Sequence, residues 1–226
     1  TPEIESDMNT SFLLIKLNDK TRLSGSIFSE VTETSYTETP DVDNVDDFRT
    51  MFTFIQEMIS NHQILAIHDI SDGGLITTLL EMCFTKKIGM KMNLPLSFNI
   101  NEQLFSEELG FVIQIKTFTV KGLIARELGS LQDNNFSIFK GDTELFKKSI
   151  IELEKVWRET SHAMQCLRDN KEIADSELSL LDDKNFSGLM HNISFDESQI
   201  FVPNLKSIKP TVAVLREQGV NGQTEM

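Results

Sequence analysis

Apolar residues fall along this chain in short dense runs and in helical periods, and the two patterns separate its elements. Ser11–Leu17 (SFLLIKL) is nearly all apolar and too short for a helix, so it reads as a strand. A polar turn, Asn18–Arg22, precedes Leu23–Val31, where Ser24, Gly25 and Ser26 mark a helix start. Val45, Phe48, Phe52, Ile55 and Ile59 recur at three and four residues, and Met51 and Met58 widen that stripe. Asn44 suits the N-cap of this helix, with Asp46 and Asp47 in the dipole-favoured first turn. Ile64–Ile67 reads as a buried strand. Leu75–Phe84 is apolar nearly all round, which predicts a deeply covered helix. Ile88–Leu94 alternates like a strand with one wet face, Asn101–Glu108 is a short helical turn, and Leu109–Ile115 is a further strand. A helix is expected over Thr119–Leu128, then a hairpin of Phe136–Phe139 and Leu145–Phe146 around Gly141.

This order predicts a layered α/β or α+β domain, helices packed on a mixed sheet, ending near Glu144. The character then changes. Ser149–Asn170 reads as one long helix carrying the sole tryptophan, Trp157. Its apolar positions Ile150, Leu153, Trp157 and Leu167, with His162 among them, form no single stripe, so it is expected to touch two bodies. Lys171–Leu181 reads as a second short helix with Asp175 and Glu177 outward, and Asp182–Lys209 as a connector. Pro210–Met226 opens as a strand at Thr211–Leu215 with a Gly-containing turn behind it. The expected division is 1–148 for the sheet domain, 149–209 for the helical connector and 210–226 for the start of another domain. The chain reads as a piece of a longer protein.

Charge narrows the classes of function. Over 226 residues the formal net charge is -14. Nucleic-acid backbones and anionic membranes require clustered Lys and Arg, so neither partner is expected. A single bound nucleotide stays open, since one phosphate needs only a local site and a metal. No Lys or Arg lies between Leu23 and Phe48, and Thr32–Asp47 reads as a solvated acidic loop. Cys83 and Cys166 make neither a disulfide framework nor a zinc spacing, which points to a reducing cytoplasm. No run approaches the length of an apolar membrane span.

The candidate chemistry lies at His68–Gly74 (HDISDGG), between a strand end and a helix start. A carboxylate at Asp69 can hold a hard cation such as Mg2+. The Ser71 hydroxyl can donate to a phosphate oxygen, and the amides of Gly73 and Gly74 carry no hindering side chain. From spacing alone, an Asx-type turn that simply caps the helix explains these residues equally well. Ser24 or Ser26 is either a phosphate contact or an N-cap. His68 is either a general base or a partly buried orienting residue. His62 ends a helix, and His162 and His191 show no partner spacing. Glu107 and Glu108 are adjacent and so point in different directions, and one of them can cap or face the turn.

Several segments resemble one family. HDISDGG with the helix to Phe84 is similar to the second aminoimidazole-ribonucleotide-synthetase-like half of the phosphoribosylformylglycinamidine synthases, and LFSEELGFVIQI (Leu104–Ile115) to the strand region that follows it. WRETSHAMQCLRDNKEIADSE (Trp157–Glu177) resembles the connector of the long single-chain form. AVLREQGVNGQTEM (Ala213–Met226) resembles the first strand and turn of its glutaminase domain. The resemblance implies an AIR synthetase C-terminal-like domain in a purine-biosynthetic ligase that uses ATP and glutamine-derived ammonia. It implies Asp69 as a Mg2+ ligand, Ser71 as a contact to ATP or ADP phosphates, and Asp72, Gly73 and Gly74 as the residues shaping the loop. The site is of the kind that is structural in that family. The implied partners are the other domains of the same enzyme, including the glutaminase. Between Ile115 and Trp157 the chain looks shorter than the family, so either a strand pair is absent or residues are missing there, and the sheet edge stays open. Two alternatives remain: a scaffold module of this fold that binds no nucleotide, and a stand-alone kinase-like ATPase, which would lack a Walker-type loop here.

Overall fold

The computed structural model describes residues 1–96, 99–116 and 124–183, together with Phe186, Gly188, residues 192–196, Thr211, Ala213 and Val214. The strand expected at Thr211–Leu215 and the turn after it fall outside that set apart from those three residues. Two compact units divide at Phe186/Ser187, and all the elements below belong to the first.

Seven strands form one mixed sheet: β1 (Ser11–Lys16), β2 (Ala66–Asp69), β3 (Gly89–Leu94), β4 (Gly110–Ile115), β5 (Ile124–Gln132), β6 (Asn135–Lys140) and β7 (Thr143–Ser149). Their order is β2-β4-β1-β5-β3-β6-β7, antiparallel throughout except for the β3–β6 pair. The helices are α1 (Ile27–Val31), α2 (Val45–Ser60), α3 (Gly74–Phe84), α4 (Ile100–Phe105), α5 (Ile150–Arg168) and α6 (Lys171–Ser179), with a 3-10 turn at Leu180–Asp182. This is an α+β architecture, a mixed sheet with packed helices.

The apolar run of β1 is explained by its central place, because both of its faces are covered. Phe12 and Leu14 join Val112, Leu75, Leu79, Met82, Met90 and Met92 in one core beneath α3. Ile15 and Leu17 join Ile113, Ile115, Met51, Ile55 and Met58 in a second core beneath α2. Alternate residues point to opposite faces of a strand, so one short sequence serves both layers. β3 alternates as expected, with Met90, Met92 and Leu94 buried and Lys91 and Asn93 exposed.

Three expectations are corrected. First, Ile124–Leu128 is part of β5, and 117–123 lies outside the described residues. The helix-forming residues Ala125, Arg126 and Glu127 are overridden by pairing with β1, and the same strand pairs with β3 from Gly129 to Gln132. Gly129 makes that pairing possible, since a Cβ there would lie 1.9 Å from the Lys91 carbonyl oxygen. Second, the stretch from Ile115 to Trp157 supplies β5, β6 and β7, so a strand pair is present and the sheet runs to Ser149, past Glu144. Third, the buried face of α2 is centred on Met51, Ile55 and Met58, while Val45, Phe52 and Ile59 are exposed. The apolar stripe is wider than the sheet surface it covers.

A buried ion pair joins the layers at the mouth of the fold. Arg22 Nε and Nη2 donate to Glu108 Oε1 and Oε2 at 2.6 and 2.7 Å, and the Arg22 backbone N–H donates to Oε1 at 3.1 Å. The Glu108 side chain is only 2% exposed. Asp43 completes the guanidinium shell at 3.0 and 3.1 Å. Burial pushes the Glu108 carboxyl up, but the Arg22 hydrogen bonds and charge outweigh it and hold it below the ordinary glutamate range. Its stabilisation is therefore present above that range and lost as pH falls through the lowered folded-state value. Removing one partner of such a pair strands the other charge. Glu108→Ala is expected to cost about 3–5 kcal/mol in urea unfolding at neutral pH. The stability gap between wild type and Glu108→Gln should shrink on acidification, and a gap that stays constant would count against the ion pair as its cause.

Candidate functional site

β2 is an edge strand that pairs with β4 alone, and it stops at Asp69. Ile70 N–H then donates to the Gly110 carbonyl at 2.9 Å, tying the first turn residue back to the sheet. Gly73 and Gly74 both adopt positive φ, +84° and +71°, which reverses the chain into α3. Gly74 also lies against α4. A Cβ on it would meet the Phe105 carbonyl carbon at 2.6 Å and the Leu104 oxygen at 2.9 Å. The second glycine of the motif is therefore set by close packing of two chain segments as well as by its φ.

The structure brings Asp69, Ser71, Asp72, Gly73 and Gly74 together on this single turn, with the Asp69, Ser71 and Asp72 side chains exposed. Asp69 is the most informative of them. Its backbone carbonyl is held by Thr78 Oγ1 at 3.3 Å and lies 2.8 Å from His68 Nδ1. Its carboxylate is 67% exposed, with His68 Nδ1 3.4 Å away. The strand end is thus fixed while the carboxylate, with His68 on one side, faces solvent. Oxygen donors from Asp69, Ser71 and Asp72 match the preference of a hard cation such as Mg2+.

The glycine amides are arranged differently from the simple expectation. Gly74 N–H donates to the Ser71 carbonyl at 3.0 Å. Gly73 N–H donates to Glu107 Oε1 at 2.8 Å, and the same oxygen accepts Ile27 N–H at 3.0 Å. One carboxylate thus caps the start of α3 and the start of α1 together. A phosphate oxygen reaching the Gly73 amide would have to displace Glu107, whereas the carboxylates of Asp69 and Asp72 need no such exchange. Glu107 and Glu108 do point opposite ways, one into the turn and the other to Arg22.

His68 is mostly covered and lies between two acids, with Nε2 3.1 Å from Glu81 Oε2. Trp157 Nε1 donates to Glu81 Oε1 at 3.2 Å, and its ring lies 5.7 Å from that of Phe84. These contacts give His68 an orienting position between the turn and α5. Ser26 is buried as the N-cap of α1: its hydroxyl accepts from Ser29 N–H and donates to the Leu23 carbonyl. It does not face the turn as a phosphate contact. Arg22, which fixes the loop beside Glu107, carried no sequence signal, because its partner lies 86 residues away.

Residues 13–119 match the family model described as AIR synthase related protein, C-terminal domain. That match covers just under half of the chain, and the mixed sheet with its packed helices is an AIR synthase C-terminal-like fold. Among solved structures it is similar to Thermotoga maritima PurL complexed with FGAR, at 11% identity over 67% of this chain and 29% of that one, with a TM-score of 0.56. It is similar also to PurLQS from Thermotoga maritima, at 10% identity over 66% of this chain and 26% of that one, with a TM-score of 0.50. The chain spans less than a third of either structure, and at these identities the likeness is one of fold. Among the described residues, no helix is long and apolar enough to cross a membrane.

The packing of Gly74 yields a direct test. Gly74→Ala is expected to lose more than about 1 kcal/mol, since alanine at positive φ is strained and its methyl group would overlap the α4 backbone. Ser71→Ala, on the exposed side of the same turn, should stay within about 0.5 kcal/mol. Paired urea titrations would check the contrast, and equal effects would show that the turn tolerates a side chain at Gly74.

Proposed function

We propose that this chain is part of an ATP-dependent ligase of purine biosynthesis, of the phosphoribosylformylglycinamidine synthase type. In this reading the His68–Gly74 turn holds a structural Mg-nucleotide. The whole enzyme converts formylglycinamide ribonucleotide and glutamine-derived ammonia to the amidine. Residues 149–209 connect to a glutaminase domain that begins at 210–226, and the protein is cytoplasmic. The observation that carries the reading is the family match over 13–119 combined with an exposed carboxylate, Asp69, at a rigid strand end in the matched segment.

Asp69 is the metal ligand in this reading, and Ser71 donates to a phosphate oxygen. Asp72 adds a second carboxylate at the mouth, and Gly73 and Gly74 let the backbone turn beneath the ligand. The cation would neutralise phosphate charge beside an acidic turn that would otherwise repel it. The chain's own part is positional. Thr78 and His68 fix the Asp69 backbone, and Glu107 fixes the Gly73 amide.

Glu107 favours a second reading, a scaffold of the same fold that binds no nucleotide, because its carboxylate already occupies the amide that an anion would use. Mass spectrometry of small molecules released from the natively purified, full-length protein separates the two. The ligase reading expects ADP or ATP in the wild type, and at least tenfold less nucleotide bound in Asp69→Ala. Wild-type protein that releases no nucleotide, and takes up none with Mg2+, would establish the scaffold.

A further inference from the structure

The hairpin of α5 and α6 carries a cluster unrelated to the turn. His162 and Cys166 stand four residues apart on α5, one above the other on the same face. Asp175 reaches them from α6. His162 Nε2 lies 3.1 Å from Asp175 Oδ1 and 3.4 Å from Cys166 Sγ, and Sγ lies 3.8 Å from the same Oδ1. Among the described residues, this is the group whose His, Cys and carboxylate ligand atoms converge closely enough to hold an ion.

The geometry argues against a nucleophilic triad. Such a triad uses both imidazole nitrogens, one for the nucleophile and one for the orienting carboxylate. Here the thiol and the carboxylate approach the same nitrogen, so the three atoms form a triangle rather than a relay. A tetrahedral zinc ion with bonds of about 2.0–2.3 Å separates its ligand atoms by about 3.3–3.7 Å. The observed edges lie within a few tenths of an ångström of that range. The ligand chemistry points the same way. Thiolate and imidazole suit zinc-class ions, whereas magnesium and calcium take all-oxygen sets.

The hairpin is braced on both sides of the cluster. Gln165 Nε2 donates to Glu177 Oε2 at 2.6 Å, and Lys155 pairs with Asp182 at 2.6 Å. Lys171 binds the other Asp175 oxygen, Oδ2, which leaves Oδ1 directed at the triangle. His162 and Asp175 both retain solvent access, so an ion can enter and its fourth position can hold water.

We propose that His162, Cys166 and Asp175 form a three-ligand site for one zinc-class divalent cation, which clips α6 to α5 and keeps an open coordination position. The sequence concealed this because His162 and Cys166 share a helix face while the third ligand comes from another helix.

The test uses the full-length protein under reducing conditions, with Co2+ as a spectroscopic probe. Equimolar Co2+ should produce the sulfur-to-cobalt charge-transfer absorption of a thiolate ligand, and Zn2+ should abolish it by displacement. Cys166→Ser should remove the band, and Asp175→Asn should weaken Co2+ affinity at least tenfold while keeping it. Far-UV circular dichroism of each metal-free variant, matched to wild type, shows that the hairpin is intact. Two outcomes overturn the site: no charge-transfer band in the wild type at excess Co2+, or a band that survives Cys166→Ser.

Discussion

The Glu108 carboxylate is taken out of water and clamped at both oxygens by Arg22, and the arrangement of the acidic turn depends on that clamp. A pair buried this deeply is a weak source of net stability compared with apolar packing, because desolvation offsets much of its attraction. Its consequence is geometric. With Glu108 fixed, the chain direction at Glu107 is fixed, and Glu107 must point outward to the Gly73 and Ile27 amides. Arg22 in turn draws in Asp43, which also holds Lys20, so the acidic loop before α2 is fastened to the same point. Hydrogen bonds from Lys20 and then Arg22 hold the Asp43 carboxyl below its ordinary range. A single cation thus organises three carboxylates in a strongly acidic chain.

A second line of contacts runs from the turn to the long helix. Asp69 meets His68, His68 meets Glu81 on α3, and Glu81 accepts from Trp157 on α5. Each link is polar, His68 is mostly covered while Asp69 and Trp157 are exposed, and Trp157 also packs on Phe84. α5 is anchored to the sheet by Ile150 and Leu153, and its start is secured by the capping box of Ser149 and Glu152. Its far half faces α6 instead, which explains why its apolar residues form no single stripe. Leu167 and Met164 stay exposed because the α6 partners of that half are polar: Asp175 and Glu177.

The sequence made the local features legible and left the long-range ones hidden. β1, β3, β4, α3 and the caps Ser26, Asn44 and Ser149 follow from periodicity and side-chain chemistry that act within a few residues. β5 could not be read that way. Its residues favour a helix, and only Lys91 and β1, far away in the chain, require a strand with a glycine at 129. The turn itself was visible as Asp69–Gly74, yet what occupies its amides was not, since Glu107 arrives from the entry to β4. The opposed directions of Glu107 and Glu108 were readable from adjacency. Which of them met an arginine was not.

The two proposed cation sites would draw different ions, because their donor atoms differ. The turn offers carboxylate and hydroxyl oxygens in an open, hydrated setting, where a hard ion keeps much of its water. The hairpin offers sulfur, imidazole nitrogen and one oxygen, already within contact distance of one another. A borderline ion gains its extra affinity from sulfur and nitrogen, and the turn has no sulfur, while His68 is engaged with Asp69 and Glu81. A magnesium ion gains nothing from a thiolate. Donor type, rather than overall charge, would therefore separate the two proposed sites in a chain whose formal charge of -14 would attract any cation.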